Sequence, residues 1–394
     1  MYNLQHNMKM MIRHVGIILV FFCLIIWISS CSNNKTNSDA IQKIYFDTNQ
    51  SVKNFDLKNI VDSTVAIIPL ETSDHCLISK IDKIEIADNC IYIQDNLAQS
   101  IYIFDMEGKY INKINRRGQG PGEYANLSYM TVTDSTIVIL DHHTRKCFEY
   151  SKNTLTFLRE ERIFEKIWCT EVFTLPGSTY YINEWSNSTL GKYRLFSRKG
   201  GSNEFEKYLP FNEEPIGIGM SGTLYGISGN TATVVYTGDN NIYRVSAEGV
   251  YPEYEIIFKN QKVAYTPDEV TSVSGSGQVL GIRSIQESEK YLVITPSLTG
   301  NESYVCIYNK QDSTTIIYDI ATSINSNSEY LFNIKKIINN QIIDWNDAPT
   351  LLVLNEYVYS KKEFKNQNNK QRLDRLFQDL TKESNPVLFI YNFN

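Results

Sequence analysis

One stretch of this chain overlays another without a gap, and that self-similarity constrains the fold more than anything else in it. Shifted by about 46 residues, Cys90–Phe104 (CIYIQDNLAQSIYIF) falls on Thr136–Tyr150 (TIVILDHHTRKCFEY). Shifted by about 92, Ile101–Gly108 falls on Tyr193–Gly200. Ile101–Tyr110 also matches Ile242–Tyr251 at Ile, Tyr, Glu, Gly and Tyr, and Tyr304–Asp312 is a weaker copy. The pairs Asp88-Asn89 and Glu107-Gly108 mark turns between apolar runs. A period of roughly 46 residues with several strands per unit is the signature of a β-propeller blade. A lone four-stranded blade cannot bury both of its faces, so the ring must close.

The repeat predicts an all-β, six-bladed propeller of four-stranded antiparallel blades. Its units fall near residues 75–122, 123–168, 169–214, 215–262, 280–322 and 330–394. The last units are degenerate, so five or seven blades stay open at this point. Closure needs a strand from one terminus to complete a blade begun at the other. Val65–Leu70 (VAIIPL) and Val387–Tyr391 (VLFIY) are both spare apolar strands, and either could close the ring. Between Ile60 and Phe364 there is almost no helix pattern. Beyond it, Leu373, Leu376, Phe377 and Leu380 have the i, i+3, i+4, i+7 spacing of one helix face. They predict a short amphipathic helix within Lys361–Leu380, before the last strand. It packs on the propeller edge or, in the sharper reading, binds a partner. The 26 Tyr and 18 Phe suit a strand-rich chain.

The N-terminus supplies an address. Arg13 and His14 precede an apolar run from Val15 to Ile28. The run is shorter than the roughly 20 residues of a comfortable membrane span. A basic residue, a short apolar core and small residues after it make an export signal. Ser29-Ser30-Cys31 follows directly and resembles the bacterial lipoprotein cleavage box, with Ile28 where Leu is usual. Cys31 is then the site of lipid attachment, the only membrane contact expected. The polar run Ser32–Ala40 fits a flexible tether. The expected organisation is a signal peptide and lipobox over 1–31, a tether and lead-in over 32–58, and the propeller over 59–394.

Composition removes several classes. The net charge of −6 carries no basic excess to meet phosphates, so nucleic acid is not expected. The cysteines at 76, 90, 147, 169 and 306 form no C-x-x-C pair. They read as buried free thiols, with one disulfide as the alternative. Asp141-His142-His143 is the only histidine cluster. Adjacent strand residues point to opposite faces, and the overlay sets the histidines at the turn positions of Asn96 and Leu97. No metal and no cofactor is expected.

Gly118–Tyr124 (GQGPGEY) follows the first blade. It has no G-x-x-x-x-G-K-[ST] pattern and so is not a phosphate loop. It reads as a tight connector between blades. Its functional reading adds Arg116, Arg117, Glu123 and Tyr124, which could hold a carboxylate or sugar at one mouth of the ring. These four are the candidate ligand-binding residues; no catalytic residue is assigned. Trp168, Trp185 and Trp345 could stack sugars, though core or edge positions are the commoner use. Gly217–Gly222 and Ser272–Gly277 read as glycine-rich loops.

The lipobox cysteine, the apolar strand ending in Pro69-Leu70-Glu71-Thr72, the G-x-G-P-G-E-Y loop and the Asn385–Leu388 strand together resemble the six-bladed β-propeller lipoproteins of gut-type Gram-negative bacteria. Those proteins look like distant relatives of NHL-repeat propellers. The resemblance implies a fold and an envelope location, and no catalytic residues. The expected function is a lipid-anchored, monomeric binding or scaffolding module in the cell envelope. Its partner would be a glycan, a peptide or an envelope protein. The alternatives are a propeller-type polysaccharide hydrolase or lyase and a purely structural protein. An enzyme would show carboxylates, or a Tyr–His–Arg group, converging in the central funnel.

Overall fold

The computed structural model describes residues 41–53, 55–56, 59–163, 169–183, 192–200, 202, 204–211, 222–236, 238–263, 278–299, 303–320, 334–361 and 367–394. The signal peptide, Cys31 and its tether, Trp168, Trp185 and most of both glycine-rich loops lie outside them.

The described strands form six sheets. Blade one holds β3 (Lys83–Ala87), β4 (Cys90–Asp95), β5 (Ser100–Asp105) and β6 (Tyr110–Ile114). Blade two holds β7 (Tyr129–Val132), β8 (Thr136–Asp141), β9 (Lys146–Ser151) and β10 (Phe157–Glu161). Blade three holds β11 (Cys169–Leu175), β12 (Ser178–Asn183), β13 (Tyr193–Lys199) and β14 (Glu206–Pro210). Blade four holds β15 (Tyr225–Ser228), β16 (Thr231–Val234), β17 (Asn241–Ser246) and β18 (Gly249–Lys259). Blade five holds β19 (Val279–Glu287), β20 (Tyr291–Leu298), β21 (Tyr304–Asn309) and β22 (Thr315–Asp319). Within each, successive strands pair antiparallel in order.

Blade six closes the ring. It combines β23 (Lys336–Ile338), β24 (Gln341–Asn346) and β25 (Val387–Phe393) with β2 (Val61–Pro69) from the other end of the chain. β2 pairs antiparallel with β25, Ala66 opposite Ile390 and Pro69 opposite Val387. The two spare apolar strands are thus partners in one blade rather than alternatives.

The second strands explain why the repeat reads Ile-Tyr-Ile instead of alternating. Each blade is covered on both faces, so both sets of side chains are buried. Ile91 and Ile93 face blade six, packed with Ile343, Leu388 and Ile390. Tyr92 between them faces blade two, packed with Met130, Ile137 and Ile139. The remaining interfaces follow the same scheme. Val138 and Leu140 meet Val172 and Phe196 between blades two and three. Phe173, Val234, Ile282 and Ile294 lie in a cluster running across blades three, four and five. Val293, Ile307, Ile342 and Phe389 join blades five and six. Inner strands approach closely at Gly226 of β15, where an added Cβ would stand 2.7 Å from the Glu287 amide nitrogen.

One device is repeated with the sequence. Asp95 and Asp141 end the second strands of blades one and two, and both are fully buried. One oxygen of Asp141 accepts from the His143 and Thr144 amides, and the other from Ala125 and Asn126. Asp95 does the same for Leu97, Ala98, Ser79 and Lys80. Each carboxylate ties a turn to the loop entering its own blade.

Two helices precede the last strand. The predicted amphipathic helix is α2 (Gln367–Asp379); Leu373 and Leu376 are buried in the blade-six cluster, with Phe377 and Leu380 against it. The other, α1 (Ala348–Tyr357), has no clear periodic face and was not expected. Its start is nonetheless marked by Asp347, whose carboxylate accepts from the Thr350 amide, and by Pro349 in the first turn. No helix among the described residues is long and apolar enough to cross a membrane.

Residues before β2 are also built in. β1 (Gln42–Asp47) adds to blade four as a fifth strand, parallel to β18, and buries Ile44 and Phe46. Val52 then bridges to Tyr318 of blade five, and Phe55 stacks on Tyr318 with ring centroids 4.6 Å apart. The chain thus straps the outer edges of blades four, five and six. The five described cysteines are free thiols, four of them buried.

Candidate functional site: the central channel

The GQGPGEY loop is first of all structural. Tyr124 is fully buried, and its hydroxyl donates to the Gln99 carbonyl at 2.8 Å and accepts from the Arg116 amide at 3.2 Å. The Gly118 amide bonds the Tyr124 carbonyl, and the Tyr124 amide bonds the Arg116 carbonyl, closing the loop on itself. Glu123 turns back to accept from the Gly120 amide at 2.9 Å. Gly122 has φ +71°, and an added Cβ would stand 2.5 Å from the Phe157 ring. Burial raises the Tyr124 phenol to about 12, so it stays protonated as a donor. Tyr124 therefore has no surface to offer a ligand, whereas Arg116 and Arg117 are exposed. Arg117 joins Gln119, Asn126 and His143 in lining a cleft of about 620 Å3 between blades one and two. The structure thus separates the four expected residues: two arginines outside, a tyrosine inside, and a glutamate folded onto its own loop.

A different set converges on the ring axis. The inner strands present Lys83 and Glu85 (β3), Tyr129 (β7), Glu171 (β11), Tyr225 (β15) and Lys336 (β23), from five of the six blades. Lys83 Nζ lies 2.8 Å from Glu85 Oε1, donates to the Met130 carbonyl at 2.6 Å and to the Tyr225 hydroxyl at 3.1 Å, and sits 3.7 Å over the Tyr129 ring. The two phenols are 3.2 Å apart. The second oxygen of Glu85 accepts from the Val132 amide at 2.7 Å. Glu171 accepts from the Leu224 amide at 3.2 Å. The Lys336 ammonium stands 4.9 Å from the Tyr225 ring centroid.

Burial disfavours the charged forms of Lys83, Glu171, Lys336 and the two tyrosines, and the neighbours decide the outcome. For Lys83 burial is the largest influence, yet Glu85 and Tyr225 together outweigh it and its pKa is raised. For Lys336 burial and the adjacent Lys83 cation prevail and its pKa is lowered. Burial raises Glu171 despite the pull of both lysines. Burial also raises both tyrosines, Tyr129 far above the usual range. Perturbed groups concentrated in one place mark candidate functional sites.

Beside this cluster a pocket of about 420 Å3 opens on the face of the ring formed by the turns that follow the inner strands. Ile227, Ile338, Val132 and Tyr225 give it apolar walls, Thr131, Ser228 and Asn340 add hydrogen-bonding groups, and Glu85 and Lys336 reach it from the cluster. The volume and the mixture are those of small-molecule sites, which span roughly 300–1,000 Å3. The Arg117 cleft belongs to the opposite face, where the blade-to-blade loops lie.

The sequence reading missed this site because its members are separated by whole blades. Lys83 and Tyr129 do stand at equivalent positions of the same 46-residue overlay, a signal that was there to be used. His142 and His143 occupy the β8–β9 turn, as the overlay implied, and burial lowers the His142 pKa. Trp345 is partly buried against the blade-one/blade-six core. Among the described residues no group of three or more His, Cys, Asp or Glu side chains could hold a metal ion.

The family model described as "Domain of unknown function (DUF4934)" matches residues 42–392. No curated protein matches the chain. A crystal structure from Bacteroides fragilis NCTC 9343, described as a "Putative exported protein", superposes with a TM-score of 0.72 at 19% identity, covering 90% of this chain and 100% of that one. At that identity the likeness concerns the fold. A DUF4221 member from Bacteroides vulgatus gives a TM-score of 0.48 at 11% identity, covering 85% of this chain and 97% of the other.

Proposed function

The chain belongs to the DUF4934 family, and from that premise we propose that it is a binding module of the cell envelope whose channel mouth takes a small polar ligand, a glycan segment. The observation that carries this reading is the pocket beside the largely buried Lys83–Glu85–Tyr129–Glu171–Tyr225–Lys336 cluster, of which Glu171 and Tyr225 are buried and the rest half-buried. Its apolar walls suit the carbon face of a sugar ring, and its hydroxyl, amide and charged groups suit the rim of hydroxyls. Holding so many ionisable groups out of water is costly for a ring that needs only apolar inner strands to close. That cost makes sense where a ligand uses the groups.

Envelope residence rests on the sequence between Arg13 and Cys31, and the description of the Bacteroides fragilis structure as exported supports it. Lipid attachment at Cys31, monomeric action and kinship with NHL-type lipoproteins belong to the same proposal. Palmitate labelling tests the anchor: incorporation should disappear in Cys31→Ala, and unchanged labelling would remove it.

The hydrolase or lyase alternative draws on Glu85 and Glu171 meeting in the channel. Of the two, only Glu85 reaches the pocket, and both of its oxygens are held, by Lys83 and by the Val132 amide; the other acid of the wall, Glu289, is exposed at the rim. A pair of carboxylates facing one substrate, which glycoside chemistry needs, is therefore not favoured. Arg117, with Gln119, Asn126 and His143, offers a second contact surface on the opposite face. The reading is tested by binding the purified protein to an oligosaccharide array. Hits that weaken at least ten-fold in Thr131→Trp, which fills the channel mouth, are the expected result. A blank array, or hits indifferent to that substitution, would overturn it.

A further inference from the structure

The channel contains two lysines in different circumstances. Lys83 has its hydrogen-bonding capacity filled by a carboxylate, a carbonyl and a phenol. Lys336, on the neighbouring blade, reaches the pocket and meets the Tyr225 ring, and no carboxylate among the described residues forms an ion pair with it. The nearby acids attract Lys336 from a distance without pairing with it. Glu85 gives its oxygens to Lys83 and the Val132 amide, Glu171 accepts from the Leu224 amide, and Glu289 is exposed at the rim.

A partly desolvated ammonium with no carboxylate in contact is unfavourable, and the fold has already met that cost. An arriving anion therefore gains the attraction without further loss of hydration on the protein side, which is the general benefit of preorganisation. The position also suits a ligand whose body lies on apolar surface, because Ile227, Ile338 and Tyr225 adjoin Lys336 in the pocket wall. Burial and the neighbouring Lys83 cation lower the Lys336 pKa, and the more distant pull of Glu171 and Glu85 does not offset them.

We propose that Lys336 reads a carboxylate on the bound saccharide, so that this chain selects acidic glycans, such as those carrying uronic acids, over neutral ones. The proposal rests on the channel mouth being the ligand site.

The test uses an array of acidic and neutral oligosaccharides, then digalacturonic acid and its methyl ester in solution. Uronate-bearing hits are expected, the ester should bind at least ten-fold more weakly than the acid, and Lys336→Gln should lose at least ten-fold on the acid and little on the ester. Neutral hits that match the acidic ones, or an ester that binds within two-fold of the acid, would overturn the proposal while leaving the channel as a binding site. A blank array overturns the binding reading itself, and this proposal with it. The ester comparison needs only the unmodified protein, so the test survives if Lys336→Gln fails to fold.

Discussion

Replacing Asp141 by alanine probes the repeated device that ties turns to loops. Four backbone amides, at 2.8 to 3.2 Å, point at this fully buried carboxylate. A hydrogen bond to a charged group contributes about 1.5–3 kcal/mol net, so simple addition would give roughly 6–12 kcal/mol. That sum is too large, because His143 and Asn126 are exposed and water can replace the acceptor there. The amides of Ala125 and Thr144 lie in less exposed residues and lose most. About 3–5 kcal/mol remains, at the upper end for a single substitution. Asp141→Asn should cost about half as much: one oxygen still serves two amides, but the new NH2 faces the other two as donor against donor. The assay is urea unfolding followed by tryptophan fluorescence, where the midpoint should fall with the slope unchanged. Asp95→Ala, in the preceding blade, should behave alike. A loss below about 1 kcal/mol for both alanine variants would refute the idea that these carboxylates hold the loops.

Three further outcomes are expected. Gly122→Ala should cost about 2–4 kcal/mol, from its left-handed backbone and its clash with Phe157, and Phe157→Ala in the same chain should relieve the clash alone, a coupling visible in a double-mutant cycle of unfolding free energies. Glu287 is buried between Arg244 (2.9 Å) and Lys310 (3.0 Å), so Glu287→Gln should destabilise by about 3–5 kcal/mol in the same unfolding assay, with little sensitivity to salt. Burial raises Asp344 to about 7 even though Lys335 lies 3.1 Å away. Its contribution is therefore fully present below about pH 4 and is lost as pH rises through about 7. Asp344→Asn should flatten that decline in a series of unfolding curves from pH 4 to 8, and an equally steep decline in the variant would count against burial as the cause.

The parts legible in the sequence were those decided within one blade. The ungapped overlay of Cys90–Phe104 on Thr136–Tyr150 carried strand order, turn positions and blade spacing, because each follows from neighbours close in sequence. The α2 face was visible for the same reason: Leu373 and Leu376 are a turn apart. The α1 helix was hidden because Leu351, Leu352, Val353 and Leu354 run together as a strand would, and only the Asp347-Ala348-Pro349 start betrays it. Tyr124 shows the limit most clearly. An aromatic beside glycines and arginines suits a ligand site or a packed corner equally well, and only the position of the Gln99 carbonyl decides between them. Beyond the equivalence of Lys83 and Tyr129 in the overlay, the channel groups were hidden until the ring closed, because Lys83 and Tyr225 come from blades one and four.

The strap over blades four to six also sets a timetable. β1 cannot pair until β18 of blade four exists, nor β2 until β25 at the far end of the chain does. Contacts so distant in sequence form slowly, since the loop between them must be closed first. A chain emerging N-terminus first carries Ile44 and Phe46 unpaired until blade four arrives, and Ile67 and Ile68 until the last strand does. Ring closure is thus a late event, and the edges of β2 stay open to wrong partners until Val387–Phe393 meets Val61–Pro69.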